Sequence, residues 1–116
     1  MIVLTLKETA TKLTPEIKEY LERKAFQLEK FLNYKGEAPL WVEMERTTNH
    51  HQKGFIFRAE FQLRLPRTSL RSEALREDMR EAIDEASKEM ERRIKDWKEE
   101  QIAKHRRGTH KEDLAL

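Results

Sequence analysis

The apolar stripe within residues 75–98 constrains the fold of this chain more than any other feature. Apolar side chains recur there at steps of three or four residues. They are Met79, Ala82, Ile83, Ala86, Met90, Ile94 and Trp97. This period predicts one long amphipathic helix with a single face to bury. Such a helix needs an apolar surface on another element, so we expect it to close a small domain around one core.

Four other segments alternate apolar and polar residues, which is the pattern of strands with one buried face. The first segment begins at Ile2, and the second follows Pro39. The third, residues 55–65, alternates most clearly and ends before Pro66, because proline cannot donate to a strand ladder. The fourth, residues 68–74, is weaker. The sequence therefore predicts four strands.

A further helix is predicted between the first two strands. Thr14 can cap it, and Pro15 at the first helical position sacrifices no hydrogen bond. Its apolar stripe is formed by Ile17, Leu21, Ala25, Leu28 and Leu32. Residues 33–36 predict its end. The order is then β-α-β-β-β-α, and a right-handed crossover makes the first two strands parallel. The predicted fold class is α+β, with two helices packed on one face of a four-stranded mixed sheet.

The length and charge of the chain indicate one domain that is nearly neutral overall. We expect the 116 residues to form a folded domain over 1–103 and a mobile basic tail over 104–116, where the periodicity is lost. The net charge is +2, and residues 1–103 hold twenty bases and twenty acids. Any affinity for nucleic acid must therefore come from local patches of charge.

Several classes of site have no support in the sequence. The chain has no cysteine, which excludes disulfides, thiol catalysis and thiolate zinc sites. The four histidines and the three isolated glycines match no metal or phosphate-loop spacing, and no serine sits in a nucleophile motif. We therefore expect no metal, no cofactor, no catalytic residue and no small-molecule substrate. We predict that the chain is not an enzyme.

The location of the protein is predicted from similar exclusions. No segment approaches the roughly 20 apolar residues that a membrane span requires. The first residues show no basic region or cleavage site of a signal peptide. We expect a cytoplasmic protein that does not bind a membrane.

Charges are sorted along the last predicted helix. Residues 73–85 hold six acids against two bases, whereas residues 88–98 hold five bases against three acids. Lys88, Arg92 and Lys95 recur on one side, opposite the apolar stripe. Two interpretations remain open. The pattern is typical of a solvated face that complements the helix dipole through local ion pairs, and equally of a face that binds phosphates.

The predicted hairpin region, residues 46–71, carries six bases against the single acid Glu60. The bases are Arg46, Lys53, Arg58, Arg64, Arg67 and Arg71. They could bind nucleic acid, or they could serve solubility and protection of a strand edge. On the sheet face away from the helices, we expect Trp41 and Ile56 to form an exposed cross-strand cluster, which would suit a protein partner.

Short blocks spread over residues 1–98 resemble a known family. The blocks are Thr14-Pro15, Leu28-Glu29-Lys30-Phe31, Glu77-Asp78-Met79, Ala82-Ile83-Asp84 and Glu91-Arg92-Arg93-Ile94. Together they look like the ribosome hibernation promoting factors, a family that includes the ribosome-associated inhibitor protein Y. Three positions depart from the family's usual residues. Gln27 and Glu89 stand where lysine is common, and Arg80 stands where tyrosine is common.

The resemblance implies a βαβββα domain that binds rRNA of the small ribosomal subunit. It implies occupancy of the channel for messenger and transfer RNA, which inhibits translation and stabilises idle ribosomes without catalysis. By matched position, the implied rRNA-binding residues are Lys18, Lys24, Lys30, Arg46, Lys88, Arg92 and Lys95. The resemblance is to the short form, which lacks the additional C-terminal domain of long members, and other hibernation factors are implied as further partners.

The sequence thus favours a ribosome-binding translation inhibitor. Two alternatives remain, a generic binder of structured or double-stranded RNA and a protein–protein module that uses Trp41 and Ile56. The favoured hypothesis requires the lysines and arginines of the two helices to form one cationic ridge. Side chains scattered in different directions, or held by neighbouring carboxylates, would count against it.

Overall fold

The computed structural model describes the backbone of residues 1–47 and 56–115, and the side chains as far as residue 106. Its elements are β1 (Ile2–Thr9), α1 (Pro15–Gln27), α2 (Glu29–Leu32), β2 (Ala38–Arg46), β3 (Phe57–Leu65), β4 (Thr68–Arg76) and α3 (Met79–Ala115). The predicted order of strands and helices is confirmed, with the first predicted helix divided into two. His50, His51 and Phe55 lie outside the described residues.

The four strands form one mixed sheet in the order β1-β2-β3-β4. β1 runs parallel to β2, with Leu4 beside Leu40, and the remaining neighbours are antiparallel. Val42 lies opposite Phe61 in the β2–β3 pair. This arrangement is what the crossover and the meander predict, so the predicted α+β class is confirmed.

The core lies between one face of the sheet and the apolar stripes of the helices. Its largest fully buried side chains are Phe61, Leu21, Leu40, Met44, Leu63, Ile83, Met90, Ile94 and Val42. Burial of one such side chain contributes about 1.5–3 kcal/mol. Because these residues are the apolar members of the predicted strands and helices, both periodicities are confirmed. The helices are therefore held with their polar faces turned away from the sheet.

The first predicted helix is interrupted at Leu28. The hydroxyl of Thr14 accepts the N–H of Ile17 at 3.3 Å, so the predicted cap is present. At Leu28, however, the N–H donates to the carbonyl of Ala25 at 3.2 Å, a tight turn that separates α1 from α2. Leu28 itself is buried in the core. α2 then ends at Asn33, whose left-handed φ of 48° is a conformation that asparagine tolerates.

The last helix is longer than predicted and begins later. Leu75 and Arg76 belong to β4, and the first helical turn is closed by the N–H of Ala82 on the carbonyl of Asp78 at 3.0 Å. The backbone stays helical through residues 104–115, where the apolar periodicity of the sequence is lost. A formed helix gains a hydrogen bond with each added residue, and no proline follows residue 66. Mobility of this segment stays a prediction.

The sheet face away from the helices carries a cluster of charges centred on Arg58, whose side chain is only 17% exposed. Its guanidinium nitrogens lie 3.4 Å from Glu43, 3.1 Å from Glu45, 2.9 Å from Glu60 and 3.5 Å from Glu73. Burial lowers the pKa of Arg58, but the carboxylates outweigh it and raise the pKa above its ordinary value. This Arg58 cluster ties β2, β3 and β4 together.

The hairpin region is consequently less cationic than its sequence indicates. Arg58 is enclosed by carboxylates, and Arg71 donates to Glu60 at 2.5 Å and to Glu73 at 2.7 Å. Two of the enclosing acids, Glu43 and Glu45, come from β2 and precede residues 46–71 in sequence, so a linear count of charge misses them. Of the six bases in this region, Arg58 and Arg71 are therefore paired with carboxylates.

The predicted cluster of Trp41 and Ile56 is also wrong. Trp41 is 41% exposed and lies opposite Gln62. The carbonyl of Ile56 instead accepts the N–H of Thr47 at 2.7 Å, six residues further along the chain. Six residues of strand span about 20 Å, so the two side chains cannot touch. The strand register places the two residues far apart, and the alternation of apolar and polar residues does not specify that register.

Replacement of Arg58 tests whether the cluster stabilises the sheet. We expect Arg58→Met to lower the free energy of unfolding by about 2 kcal/mol, because four neighbouring carboxylates lose their shared cation. Urea unfolding measures this difference. Arg64→Met, an exposed arginine on the same strand, is the matched control and should change stability by less than about 0.5 kcal/mol. Equal losses in both variants would contradict the role of the cluster.

The same face should make stability depend on acid pH. The hydroxyl of Thr9 donates to Glu43 at 2.7 Å and, with Arg58, lowers the pKa of Glu43 despite the opposing effect of burial. A carboxyl with a lowered folded pKa contributes stability above its unfolded pKa of about 4.5 and loses it as the pH falls through the folded pKa. We expect Thr9→Val to raise the pKa of Glu43. The loss of stability as the pH falls should then be smaller. NMR titration of Glu43, with urea unfolding between neutral and acid pH, measures both, and an unchanged pKa would contradict the assignment.

Candidate nucleic-acid interface

α1 and α3 are joined by a polar contact on the surface that they share. The hydroxyl of Tyr20 donates to the carboxylate of Asp84, and the ammonium of Lys24 lies 3.6 Å from the same carboxylate. The hydrogen bond to Asp84, followed by burial, raises the pKa of Tyr20. Because Tyr20 and Asp84 are 64 residues apart in sequence, this contact fixes the position of one helix against the other.

Three cations from the two helices surround the ring of Tyr20. The charged groups of Arg23, Lys24 and Arg80 lie 6.0, 5.6 and 5.4 Å from the ring centroid. At exposed sites a cation above an aromatic face gains about 0.5–1 kcal/mol. The ring therefore holds like charges together that would otherwise repel one another.

A second aromatic ring brings together two of the lysines implied by the family resemblance. The ammonium of Lys30 lies 5.1 Å from the ring centroid of Phe31, and that of Lys95 lies 5.0 Å from the same centroid. Lys30 belongs to α2 and Lys95 to α3. Side chains 65 positions apart in sequence thus converge at one place on the surface.

The two aromatic sites belong to one continuous surface along α3. Eleven residues separate Asp84 from Lys95, which is about 16 Å of helix. Lys88 follows Asp84 by four residues and precedes Lys95 by seven, so it lies on the same side between them. We call this surface the helix ridge. It consists of Arg23, Lys24, Lys30, Arg80, Lys88 and Lys95. Within the described part of the chain, no carboxylate lies within ion-pairing distance of Lys88.

Arg92 is held beside this ridge by acids of its own helix. Its guanidinium makes two hydrogen bonds to Glu89, at 2.6 and 3.1 Å, and lies 3.4 Å from Asp96. Arg93 also contacts Glu89, at 3.2 Å. The hydrogen bond from Arg92 is the main cause that lowers the pKa of Glu89, and the pKa of Arg92 is raised in return. One carboxylate thus pairs with two arginines.

The local ion pairs of the first interpretation are present on the charged helix, and its binding to phosphates stays a prediction. Arg92, Arg93 and Lys95 pair locally with acids, with Lys95 lying 3.0 Å from Glu91. These pairs are solvent-exposed, since the side chains of Arg92 and Lys95 are 61% and 56% exposed. Exposed pairs contribute about 0–1 kcal/mol, so a phosphate can replace the carboxylate at little cost. The ridge is consequently paired in the isolated chain but not locked.

Two of the implied contact residues lie away from the ridge. Lys18 precedes Lys24 by six residues, which places it about 120° around the axis of α1. Arg46 is the last residue of β2 and lies opposite Phe57. The structure therefore brings together Lys24, Lys30, Lys88 and Lys95, with Arg92 alongside. The role of all seven residues in rRNA binding stays a prediction.

Sequence reasoning missed Tyr20, Arg23 and Arg80 as members of this surface. A signal was present, because Tyr20 and Lys24 stand at i and i+4 and Arg80 stands four residues before Asp84. The sequence does not show that these parts of α1 and α3 lie against each other. Within residues 1–47 and 56–106, no group of three or more acidic or histidine side chains could hold a metal ion. In that same part of the chain, no helix is long and apolar enough to cross a membrane.

Proteins with similar sequences are ribosome hibernation promotion factors. One from Bacillus subtilis is 31% identical over 86 residues, which are 74% of this chain and 43% of that protein. One from Deinococcus radiodurans is 26% identical over 108 residues, which are 93% of this chain and 55% of that protein. The chain thus spans about half the length of the curated relatives that it matches.

Solved structures show the same fold. The N-terminal domain of Thermus thermophilus protein Y superimposes with a TM-score of 0.66 at 27% identity, covering 83% of this chain and 97% of that domain. A ribosomal subunit interface protein from Coxiella burnetii superimposes with a TM-score of 0.60 at 14% identity, over 84% of this chain and 98% of that one, and it supports the fold alone. A family model matches residues 4–102, and the chain therefore belongs to the sigma 54 modulation protein / S30EA ribosomal protein family.

Proposed function

We propose that this chain is a cytoplasmic ribosome hibernation factor that binds rRNA of the small ribosomal subunit. It occupies the channel for messenger and transfer RNA, inhibits translation by occupancy rather than by catalysis, and stabilises idle ribosomes, alone or with other hibernation factors. The helix ridge carries this proposal, since cations from three helices converge there around Tyr20 and Phe31. The names of the family and of its relatives support the ribosome as the partner.

The ridge suits a phosphate surface for an electrostatic reason. Each lysine or arginine that neutralises a phosphate releases condensed counterions, so affinity arises without base-specific contacts and falls with salt. Structured RNA is recognised largely by its shape and backbone, which a fixed ridge can match. The Tyr20–Asp84 contact and the Phe31 ring hold the cations in place before binding.

The opposite sheet face favours a single orientation of docking. On that face Arg58 is already surrounded by four carboxylates and is not available to a phosphate backbone. The helical side presents Lys88 without an acidic partner among the described residues, together with exposed ion pairs that exchange readily. A molecule whose available cations lie on one side approaches RNA in a defined direction.

A generic binder of structured RNA would use the same ridge and is distinguished by its partner. Such a protein binds any duplex equally, whereas the proposed factor saturates on small ribosomal subunits. The third alternative, a protein module built on Trp41 and Ile56, loses its basis because the register separates those residues by about 20 Å.

Charge reversal at the Phe31 site tests the ridge. We expect Lys30→Glu plus Lys95→Glu to weaken binding to small ribosomal subunits at least about tenfold. The number of counterions released on binding, which the salt dependence of the affinity reports, should fall by about two. Co-sedimentation at several salt concentrations measures both quantities. Circular dichroism and urea unfolding check that the variant folds.

The matched control is Lys12→Glu plus Arg64→Glu, an equal change of charge at exposed positions away from the ridge. We expect it to change binding by less than about threefold, through the general field of the protein alone. Equal losses in the two double variants would show that net charge, not the ridge, determines affinity. Equal binding of the unmodified chain to any RNA duplex would favour the generic binder.

The acid that holds two arginines gives a gain-of-function test. Glu89→Gln removes the carboxylate that binds Arg92 and Arg93 and leaves their guanidiniums available to phosphates. We expect about threefold to tenfold tighter binding to small subunits and a steeper salt dependence. Glu99→Gln, an exposed acid later on the same helix, is the control and should change affinity less. Weaker binding of the Glu89 variant would mean that this acid orients the arginines for RNA.

A further inference from the structure

A groove runs along the outer side of β4, between this strand and α3. Its volume is about 1130 Å³, and residues 69–76 form one side of it. On the opposite side lie residues of α3 from Glu85 to Lys95. The described lining contains six basic and four acidic residues. The bases are Arg71, Arg76, Lys88, Arg92, Arg93 and Lys95, and the acids are Glu73, Glu85, Glu89 and Glu91.

The strand side of the groove offers backbone groups. β4 lies at an edge of the sheet formed by the described residues, with β3 as its neighbour on the inner side. In an antiparallel pair, alternate residues direct their N–H and C=O away from the partner strand. The outer side of β4 therefore presents both donors and acceptors, which an extended chain can pair with.

The helix side of the groove offers cations at a suitable spacing. Lys88 and Arg92 are separated by four residues of helix, about 6 Å along the axis. In an added strand, side chains on one face recur about every 6.7 Å. Successive same-face carboxylates of an added strand can thus meet Lys88 and then Arg92. The exposed pairs of Arg92 and Arg93 with Glu89 are weak enough to be exchanged for them.

We propose that this groove binds an extended acidic segment of another polypeptide, which pairs with β4 as a fifth strand and places its carboxylates against α3. This interaction goes beyond ribosome binding, and it does not depend on that function. The cations of α3 that line the groove, among them Lys88 with no acidic partner among the described residues, select an acidic partner, and the strand edge selects an extended one.

A polypeptide fits the groove better than a nucleic-acid strand. The described lining residues include no aromatic side chain, whereas grooves for single-stranded RNA typically stack bases on aromatic rings. Phosphate oxygens only accept hydrogen bonds, so they would leave the outward carbonyls of β4 without donors. A peptide backbone supplies both kinds of group in the strand repeat.

Synthetic peptides test the proposal on the full chain. The probe is a fluorescent nine-residue peptide, as long as β4, with valine at the odd positions and glutamate at the even positions. Its control carries proline in place of the central valine, which keeps the charge but prevents strand pairing. We expect the first peptide to bind about tenfold tighter and to protect amides of β4, but not of the β1 edge, from hydrogen exchange.

Variants and competing ligands complete the test. Lys88→Gln plus Arg92→Gln should weaken binding of the glutamate peptide about tenfold, whereas Lys12→Gln plus Lys18→Gln should leave it within about twofold. Equal affinity for the proline peptide, or for a peptide with lysine in place of glutamate, would overturn the proposal. So would stronger protection of β4 by a nine-nucleotide oligouridylate, which would assign the groove to RNA. Because no ribosome is present, these outcomes are separate from the test of ribosome binding.

Discussion

The contact between Tyr20 and Asp84 determines how the charged surface of this protein is organised. Apolar packing places α1 and α3 on the same face of the sheet, but packing is non-directional. A hydrogen bond between residues so distant in sequence sets the relative position of the two helices. Lys24, Arg80 and the other cations of the helix ridge owe their proximity to this position. The electrostatic properties of the ridge therefore depend on a partly buried polar contact beneath it.

The protein divides its charges between two faces although the folded region is neutral overall. Carboxylates of β2, β3 and β4 surround Arg58 on the open sheet face and neutralise it. On the helical side, aromatic rings hold ammonium groups at the surface, and Lys88 has no acidic partner among the described residues. The net charge does not show this division of charges, because it is a sum over both faces. Sequence-based arguments about RNA binding by such chains must consider which charges are already paired.

Local patterns predicted most of the fold, because each element buries one face and therefore repeats at a fixed period. The cap at Thr14 and the helix end at Asn33 also follow from local chemistry. The break at Leu28 and the length of α3 were not predicted, since neither a tight turn nor helix propagation leaves a pattern of hydrophobicity. The candidate site was predicted less completely. Lys30 and Lys95 were identified through resemblance, but their convergence on Phe31 depends on tertiary packing. For the same reason, the separation of Trp41 from Ile56 required the strand register.

The continuation of α3 far beyond the core gives the molecule an unusual outline. Among the side chains described as far as residue 106, the last buried one of the helix is Ile94, yet the helix ends at Ala115, about 30 Å further along its axis. The molecule measures 62 × 29 × 17 Å, so it is a thin body with a projecting rod. An object of these proportions cannot tumble inside a narrow passage. Such a passage would admit it only lengthwise, with either the compact body or the rod first, and its walls would then keep it from turning round.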